Sequence, residues 1–138
     1  MQAQIAKGSL LGELHTKTVT TTVKEITPFG LRTLQNTVGD FTGTYTAHHT
    51  ATREMFLKND GSFNWSSKFF QNTKDGDIIY GSAHGTGKMT GPTMSKGEGE
   101  VIFMTESPRL SWLNMLKGRV ESSGDSATGE THFKTFVL

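Results

Sequence analysis

Apolar and polar residues alternate along much of the chain, and the alternation is clearest from residue 54 to residue 89. Within this segment Phe63, Trp65 and Phe69 fall on one side of an extended chain. The other side carries the polar residues Asn64, Ser66 and Lys68. A helix is excluded here, because glycine is too frequent for a helix interior and the aromatic residues follow a period of two. The pattern therefore predicts β-strands.

Two Asp-Gly pairs punctuate this segment, at Asp60-Gly61 and Asp75-Gly76. Glycine reaches positive φ without a steric clash and aspartate tolerates it, so Asp-Gly between alternating segments predicts a tight hairpin turn. Phe70 interrupts the alternation and predicts a bulge, or burial on both faces, near the end of the middle strand. Residues 78–89 are rich in glycine, as in strands that bend or let another backbone approach closely. Together these signals predict a meander of three strands.

The rest of the chain repeats this organisation. Threonine and valine dominate residues 13–26, and β-branched residues suit a pleated strand better than a helix. Residues 39–50 and 97–105 alternate again, whereas residues 31–38 have no clear period and are expected to form a loop or a weak strand. The further predictions are a short extra strand at residues 1–6, a turn at 27–30, an extended segment at 119–121, a turn at 122–126 and a closing strand at 127–137.

One short helix is predicted near residues 108–117. Ser107 is expected at its N-cap and Pro108 at its first position, which is a favourable helix start, and Gly118 can end it. The apolar residues of this segment recur at helical spacing, at Leu110, Leu113 and Leu116.

Eight or so strands, one short helix and no crossover helices predict an all-β architecture with antiparallel pairing. The length of 138 residues fits a single domain that spans residues 1–138. A closed barrel and a sandwich both satisfy this pattern, and closure has the advantage that it removes exposed strand edges.

Composition narrows the classes of function. The chain carries 14 basic and 13 acidic residues without a basic stripe, so a nucleic-acid partner is not expected. The absence of cysteine excludes disulfides and thiolate chemistry and favours a reducing compartment. No apolar run approaches the roughly 20 residues of a membrane helix, and the N-terminal segment lacks the apolar stretch of a signal peptide. The expected location is therefore the cytoplasm, without a membrane partner.

Several of these segments resemble a small bacterial family, the domain of unknown function 3224 family. That family is similar in fold to allene oxide cyclase, an eight-stranded antiparallel barrel also seen in dirigent proteins. The resemblance implies the closed barrel rather than the sandwich, and it suggests a homo-oligomer, a dimer or a trimer. It implies no activity, because fold does not carry function and no segment here matches the cyclase's catalytic residues. The resemblance covers roughly Val38 to the C-terminus and rests on GDFTGTY (39–45), DGSFNWSSKF (60–69), GSAHGTGKM (81–89), GEGE (97–100) and SWLNMLKG (111–118).

The histidines are the first candidates for chemistry. His48 and His49 are adjacent on a strand, so they face opposite sides and cannot chelate one metal together. One of them is expected to face the barrel interior, where His84, His15 or His132 could join it across the sheet to bind zinc or transfer protons. Neither HxH nor HExxH spacing occurs, which favours five unrelated, mostly solvent-facing histidines. No metal and no cofactor is therefore predicted.

Aromatic residues are the second candidate feature. A barrel of about eight strands either fills its interior with side chains or holds one small ligand, and an aromatic lining with a few polar groups suits a small, largely apolar molecule. Glu98 and Glu100 could act as a carboxylate pair if they faced inward, but a solvated outer face is the expected position. The candidate ligand-binding residues are Tyr45, His49, Glu54, Trp65, Tyr80 and His84.

Three functions fit these observations. The first is a non-catalytic barrel that binds a small hydrophobic molecule in its interior. The second is an isomerase or cyclase that uses the same cavity to shape a reactive substrate, which requires only a moulded pocket and one or two polar groups. The third is a structural module that oligomerises through apolar residues on its outer surface. For the isomerase or cyclase the candidates would be Tyr45, His49, Glu54, Tyr80 and His84, but the pattern assigns a catalytic role to none of them.

Overall fold

Residues 6–138 are described by the structure, a computed structural model. They form a closed barrel of eight antiparallel strands, in which each strand pairs with its neighbours in the chain and the last strand pairs with the first. This confirms the predicted all-β barrel and excludes the sandwich. The predicted strand at residues 1–6 lies outside the described residues except for Ala6, which is not in a strand. The strands are β1 (Leu10–Thr27), β2 (Gly30–Gly43), β3 (Ala47–Lys58), β4 (Ser62–Asn72), β5 (Ile78–Met89), β6 (Met94–Thr105), β7 (Lys117–Asp125) and β8 (Glu130–Val137).

The predicted meander corresponds to β3, β4 and β5. Its two turns contain Gly61 at φ +89° and Gly76 at φ +93°, a region of backbone conformation that disfavours side chains with a Cβ atom. The Asp-Gly pairs thus mark both hairpins, as expected. No helix among the described residues has the length and apolar character needed to cross a bilayer.

Residues 31–38 belong to a regular strand, so of the two expected alternatives the loop is wrong and the strand is confirmed. They lie within β2, which pairs along its length with both β1 and β3. Pairing on two sides compensates for the weak periodicity of the segment. Residues 39–50 are also not one strand, because the chain turns after Gly43, where Thr44 donates two hydrogen bonds to the Leu11 carbonyl, from its amide at 3.0 Å and its hydroxyl at 2.9 Å.

Two other local predictions are corrected. Residues 122–125 continue β7, and the turn lies at residues 126–129, where Gly129 has φ +77°. Phe70 causes no bulge, because it pairs in regular register with Thr50 and Tyr80 and its side chain points outward. The ring of the neighbouring Phe69 faces the interior instead. Phe69 and Phe70 therefore point to opposite faces of the sheet, as adjacent residues of a strand ordinarily do.

A 3₁₀ helix (Pro108–Met115) closes one end of the barrel and is the short helix that the sequence predicts. Leu110 and Leu113 are buried there, and their spacing of three residues places them on one side of a 3₁₀ helix. Ser107 does not cap the helix through its side chain but donates a hydrogen bond of 2.6 Å to Asp77. Arg109 and Thr73 also donate hydrogen bonds to this carboxylate. Together the three donors, with Arg109 contributing most, hold the pKa of Asp77 well below its usual range. This network ties the helix to the β4–β5 turn.

Aromatic rings of β4 pack on glycines of the next two strands. Phe69 pairs with Gly81, and a Cβ atom on Gly81 would lie 2.2 Å from Phe69 Cζ and 2.5 Å from the Ile102 carbonyl oxygen. Phe63 pairs with Gly87 in the same way, at 2.2 Å. Each ring thus occupies the space that a side chain on the partner strand would need, which is a known way to stabilise glycine in a strand.

The outer surface of the barrel, called the outer wall below, carries a row of apolar side chains. Phe70, Tyr80 and Met104 pair across β4, β5 and β6 and are 42%, 49% and 57% exposed, respectively. Outward apolar residues of this kind are what an oligomer would bury. The homo-oligomer remains a prediction.

The ring-on-glycine packing predicts the effect of a small substitution. We expect Gly81→Ala to lower the free energy of unfolding by about 1–3 kcal/mol, because the added Cβ atom overlaps both a buried ring and a carbonyl oxygen. Urea denaturation monitored by circular dichroism measures this difference. Gly91→Ala is the matched control, since a Cβ atom there meets Met94 at an ordinary 3.8 Å. Equal stability of the two variants would show that the rings do not require glycine.

Candidate functional site

The barrel interior is divided into two chambers of different size. A wide one of about 600 Å³ opens between the β5–β6 and β7–β8 turns and is called the mouth chamber. A small one of about 50 Å³ lies deeper and is called the inner chamber. The mouth chamber falls in the range of about 300–1,000 Å³ typical of small-molecule sites, whereas the inner chamber has room for one or two water molecules.

The walls of the mouth chamber differ between its two sides. Side chains from β2 to β5 are mainly large and apolar, and those from β1 and β6 to β8 are mainly small and polar. Within a strand the inward side chains are alternate residues, such as Met55 and Leu57 of β3 or Phe63 and Trp65 of β4. The apolar side is formed by Leu31, Met55, Leu57, Phe63 and Met89, and the polar side by Thr18, Ser95, Ser122 and Thr131.

Arg53, Trp65 and Phe133 line both chambers and therefore form the floor of the mouth chamber. Arg53 lies on β3 and points into the barrel, where its Nε and Nη2 atoms donate hydrogen bonds of 2.8 and 2.6 Å to Gln35 Oε1. Among residues 6–138 it forms no salt bridge. Burial lowers the pKa of the Arg53 guanidinium, yet an arginine remains protonated at neutral pH. The floor thus holds a cation whose one identified partner is a neutral amide.

A second donor at the floor lacks a partner. Trp65 Nε1 is buried and forms no hydrogen bond with any residue in the described part of the chain. Its ring is held over β6, where a Cβ atom on Gly99 would lie 2.8 Å from Trp65 Cζ2. An unpaired buried donor costs free energy, so such groups call for a physical explanation. This N–H lies against β6, where a Cβ atom on Gly97 would be 3.5 Å from Nε1, so Arg53 is the donor that the floor presents to the chamber.

The inner chamber is bordered by a chain of hydrogen bonds. The Tyr45 hydroxyl donates to Gln71 Oε1 at 2.6 Å, and Gln71 Nε2 donates to His49 Nδ1 at 3.0 Å. This arrangement places the imidazole proton on Nε2. Burial is the main reason that the pKa of His49 falls to about 4, so the ring is neutral at pH 7, and burial also raises the pKa of Tyr45.

The structure places three of the six candidate residues inside the barrel. Trp65 lines both chambers, His49 lines the inner chamber, and Tyr45 is buried beside it through Gln71. Their side chains belong to the same interior, as the sequence suggests. Whether any of them binds a ligand remains a prediction.

The other three candidates, Glu54, Tyr80 and His84, lie on the outer wall. Glu54 and His84 border a groove outside the barrel, and Tyr80 is exposed. They do not join the interior residues, because each follows or precedes a residue that faces inward and adjacent residues alternate. Glu98 is exposed on the same wall, and Glu100 forms an ion pair of 3.1 Å with Lys117, so the two do not form an interior carboxylate pair.

Sequence reasoning missed Arg53. Its position carries a signal, since it shares the strand face of Ala51, Met55 and Leu57. A charged residue on a face that is otherwise apolar is unusual unless it has a function or a partner. The predicted ligand-binding residue was its neighbour Glu54, which lies on the opposite face of the strand.

No protein-family model matches the chain, and no curated protein matches it. The resemblance to the domain of unknown function 3224 family therefore remains a prediction.

Solved structures show the same fold at low sequence identity. A protein of unknown function from Clostridium acetobutylicum is 14% identical, with a TM-score of 0.82 over 96% of this chain and 99% of that one. A β-barrel-like protein from Acinetobacter baumannii is 16% identical, with a TM-score of 0.77 over 99% of both chains. An enzyme from Penicillium herquei is 14% identical, with a TM-score of 0.64 over 99% of both chains. At these identities the likeness establishes the barrel fold alone.

The buried His49 predicts a dependence of stability on pH. The pKa of this residue is about 4 in the folded protein and near 6.5 in the unfolded chain, so below pH 6.5 the unfolded chain takes up a proton that the folded protein does not. The free energy of unfolding should therefore fall between pH 6.5 and 4, by at most about 3 kcal/mol from this residue. His49→Asn keeps an acceptor for Gln71 and should reduce the fall, as measured by urea denaturation at several pH values.

His84→Asn is the control, since this histidine is exposed on the outer wall. It should leave the pH dependence as in the parent protein. A fall of the same size in His49→Asn would show that other groups cause it.

Proposed function

We propose that the barrel binds a small amphipathic organic acid in its mouth chamber. The acidic group sits at the floor against Arg53, and the apolar part extends along the wall towards the open end. The observation that carries this proposal is the inward-pointing guanidinium of Arg53, which has no carboxylate partner among residues 6–138. This specifies the chemistry of the small, largely apolar ligand that the sequence predicts.

The electrostatic argument starts from the cost of burying a cation. A charged group removed from water is unfavourable unless it is paired, and one amide oxygen satisfies only part of a guanidinium. A carboxylate matches the planar fork of arginine through two parallel hydrogen bonds, which are stronger than neutral ones. A ligand with a carboxylate thus supplies what this region lacks.

The shape of the chamber explains the apolar part of the ligand. Leu31, Met55 and Leu57 are only partly buried, although they face the interior. A hydrocarbon chain that covers them gains roughly 25 cal/mol for each square ångström of apolar surface removed from water. The chamber volume of about 600 Å³ is large enough for such a chain, whereas the inner chamber of about 50 Å³ is not.

Catalysis of the isomerase or cyclase type is less well supported by the geometry. His49 is the histidine of the inner chamber and would be its acid–base group, but its pKa of about 4 makes it a weak base at neutral pH. Its Nδ1 atom accepts a hydrogen bond from Gln71, and the chamber beside it, of about 50 Å³, is too small for an organic substrate. Binding without a reaction is therefore the function that we propose.

Decanoate and decanol distinguish the two halves of this proposal. They share the same chain and differ in charge, so a floor built for an anion should bind decanoate at one site with at least tenfold higher affinity. Isothermal titration calorimetry measures both affinities. Arg53→Met should abolish the preference for decanoate, because a charged hydrogen bond contributes about 1.5–3 kcal/mol, while it leaves the binding of decanol largely unchanged.

Arg32→Met is the matched control. Arg32 also lies near the open end, but its partners are Glu25 and the ring of Phe56, so this variant should bind decanoate like the parent protein. Thermal melts confirm that both variants are folded. Equal affinity of the parent for decanoate and decanol would contradict the role of the floor, and failure of both to bind would contradict a ligand-binding mouth chamber.

A further inference from the structure

Three side chains converge on the outer wall where the barrel closes. Here β1, near the start of the chain, pairs with β8 at its end, and His15 lies directly opposite His132. The two imidazole rings stack with centroids 4.3 Å apart. Glu13, on the same face of β1, has its Oε1 atom 2.8 Å from His132 Nε2. One potential ligand atom from each of the three residues lies within 4.8 Å of the others.

We propose that Glu13, His15 and His132 bind a transition-metal ion of the zinc(II) class and thereby link the first strand to the last. Two imidazoles and a carboxylate are ligands that zinc uses in proteins, at about 2.0–2.2 Å from the metal. Around a tetrahedral ion such ligand atoms lie about 3.3 Å apart. Binding requires the two rings to rotate out of their stack, so that the lone pair of one nitrogen on each ring points at the ion. A water molecule completes the fourth position.

An ion pair alone does not explain the geometry as well. Glu13 contacts His132, whereas His15 has no ion-pair partner among residues 6–138 and only stacks on the ring of His132. A metal ion would accept one lone pair from each ring, and the carboxylate would balance its charge. Asp40, which pairs with His15 from β2, adds negative charge beside the site.

The position of the site gives the ion a structural consequence. The pairing of β1 with β8 is the contact that closes the barrel, and it joins the two ends of the chain. An ion held by both strands binds the folded protein but not the separated strands, so it stabilises the closed barrel. The three side chains point away from the interior. The site is therefore independent of the mouth chamber and its proposed ligand.

Zinc(II) titrated into the untagged protein tests this proposal. Isothermal titration calorimetry should show one equivalent bound with a dissociation constant in the micromolar range. The melting temperature should rise by several degrees at saturating zinc and return to its starting value after addition of a chelator. His132→Asn should weaken binding at least tenfold and abolish the zinc-dependent rise, and Glu13→Gln should weaken binding to a smaller extent.

The chain supplies two matched controls. His84→Asn removes a histidine of another region of the outer wall, and His48→Asn removes one that lies two strands from His15, beside Asp40. Both should bind zinc like the parent protein. The proposal would be overturned by the absence of binding at 100 μM zinc, or by binding that survives in the double variant His15→Asn/His132→Asn. Circular dichroism of the metal-free variants verifies that the barrel is intact.

Discussion

The rest of the structure depends on the packing of the β4 rings against glycines of the next two strands. Phe63, Trp65 and Phe69 face the interior, and each occupies a volume in which a side chain on the facing strand would overlap it. A barrel of eight strands is narrow, so large inward side chains on one strand require small ones opposite. The same packing sets the register of the β4–β5 hairpin, because a slip of one residue would turn these rings towards solvent.

The positions of the large side chains explain why one end of the barrel is filled and the other end is open. At the closed end, Leu110 and Leu113 of the 3₁₀ helix complete the core, and the buried Gln71 joins Tyr45 to His49. Towards the other end the inward residues of β6 to β8 and of β1 become glycine, serine and threonine. Small side chains opposite the large ones of β3 and β4 leave the mouth chamber unfilled. The chamber is thus a consequence of residue size rather than of a separate domain or loop.

The interior and the outer wall carry different polar groups, and each set of groups corresponds to one of the two proposed ligands. Inside, the guanidinium of Arg53 has a neutral hydrogen-bond partner, which leaves its buried charge uncompensated in the absence of an added anion. On the outer wall, His15 and His132 stack across the junction of β1 and β8 beside a carboxylate. An anionic ligand would pair with Arg53, and a metal cation would bind the two histidines and the carboxylate. The two would stabilise the same barrel from opposite faces of its wall.

The sequence by itself determined the strands of the meander, both of its turns and the class of fold, because alternation and Asp-Gly turns are local signals. It also contained the ring-on-glycine pairs, since Phe63 and Gly87 lie at equal distances from the turn at Asp75, as do Phe69 and Gly81. Local signals fail for segments of mixed polarity, which is why residues 31–38 and the breaks at Gly43 and Asp125 were not recognised. Only the tertiary structure decided which face of β3 is inside, because closure of the barrel buries one face of every strand together. As a result Arg53 faces the interior and Glu54 faces outward. The tertiary structure alone brought His15 to His132, since residues at the two ends of a chain become neighbours only when the last strand pairs with the first.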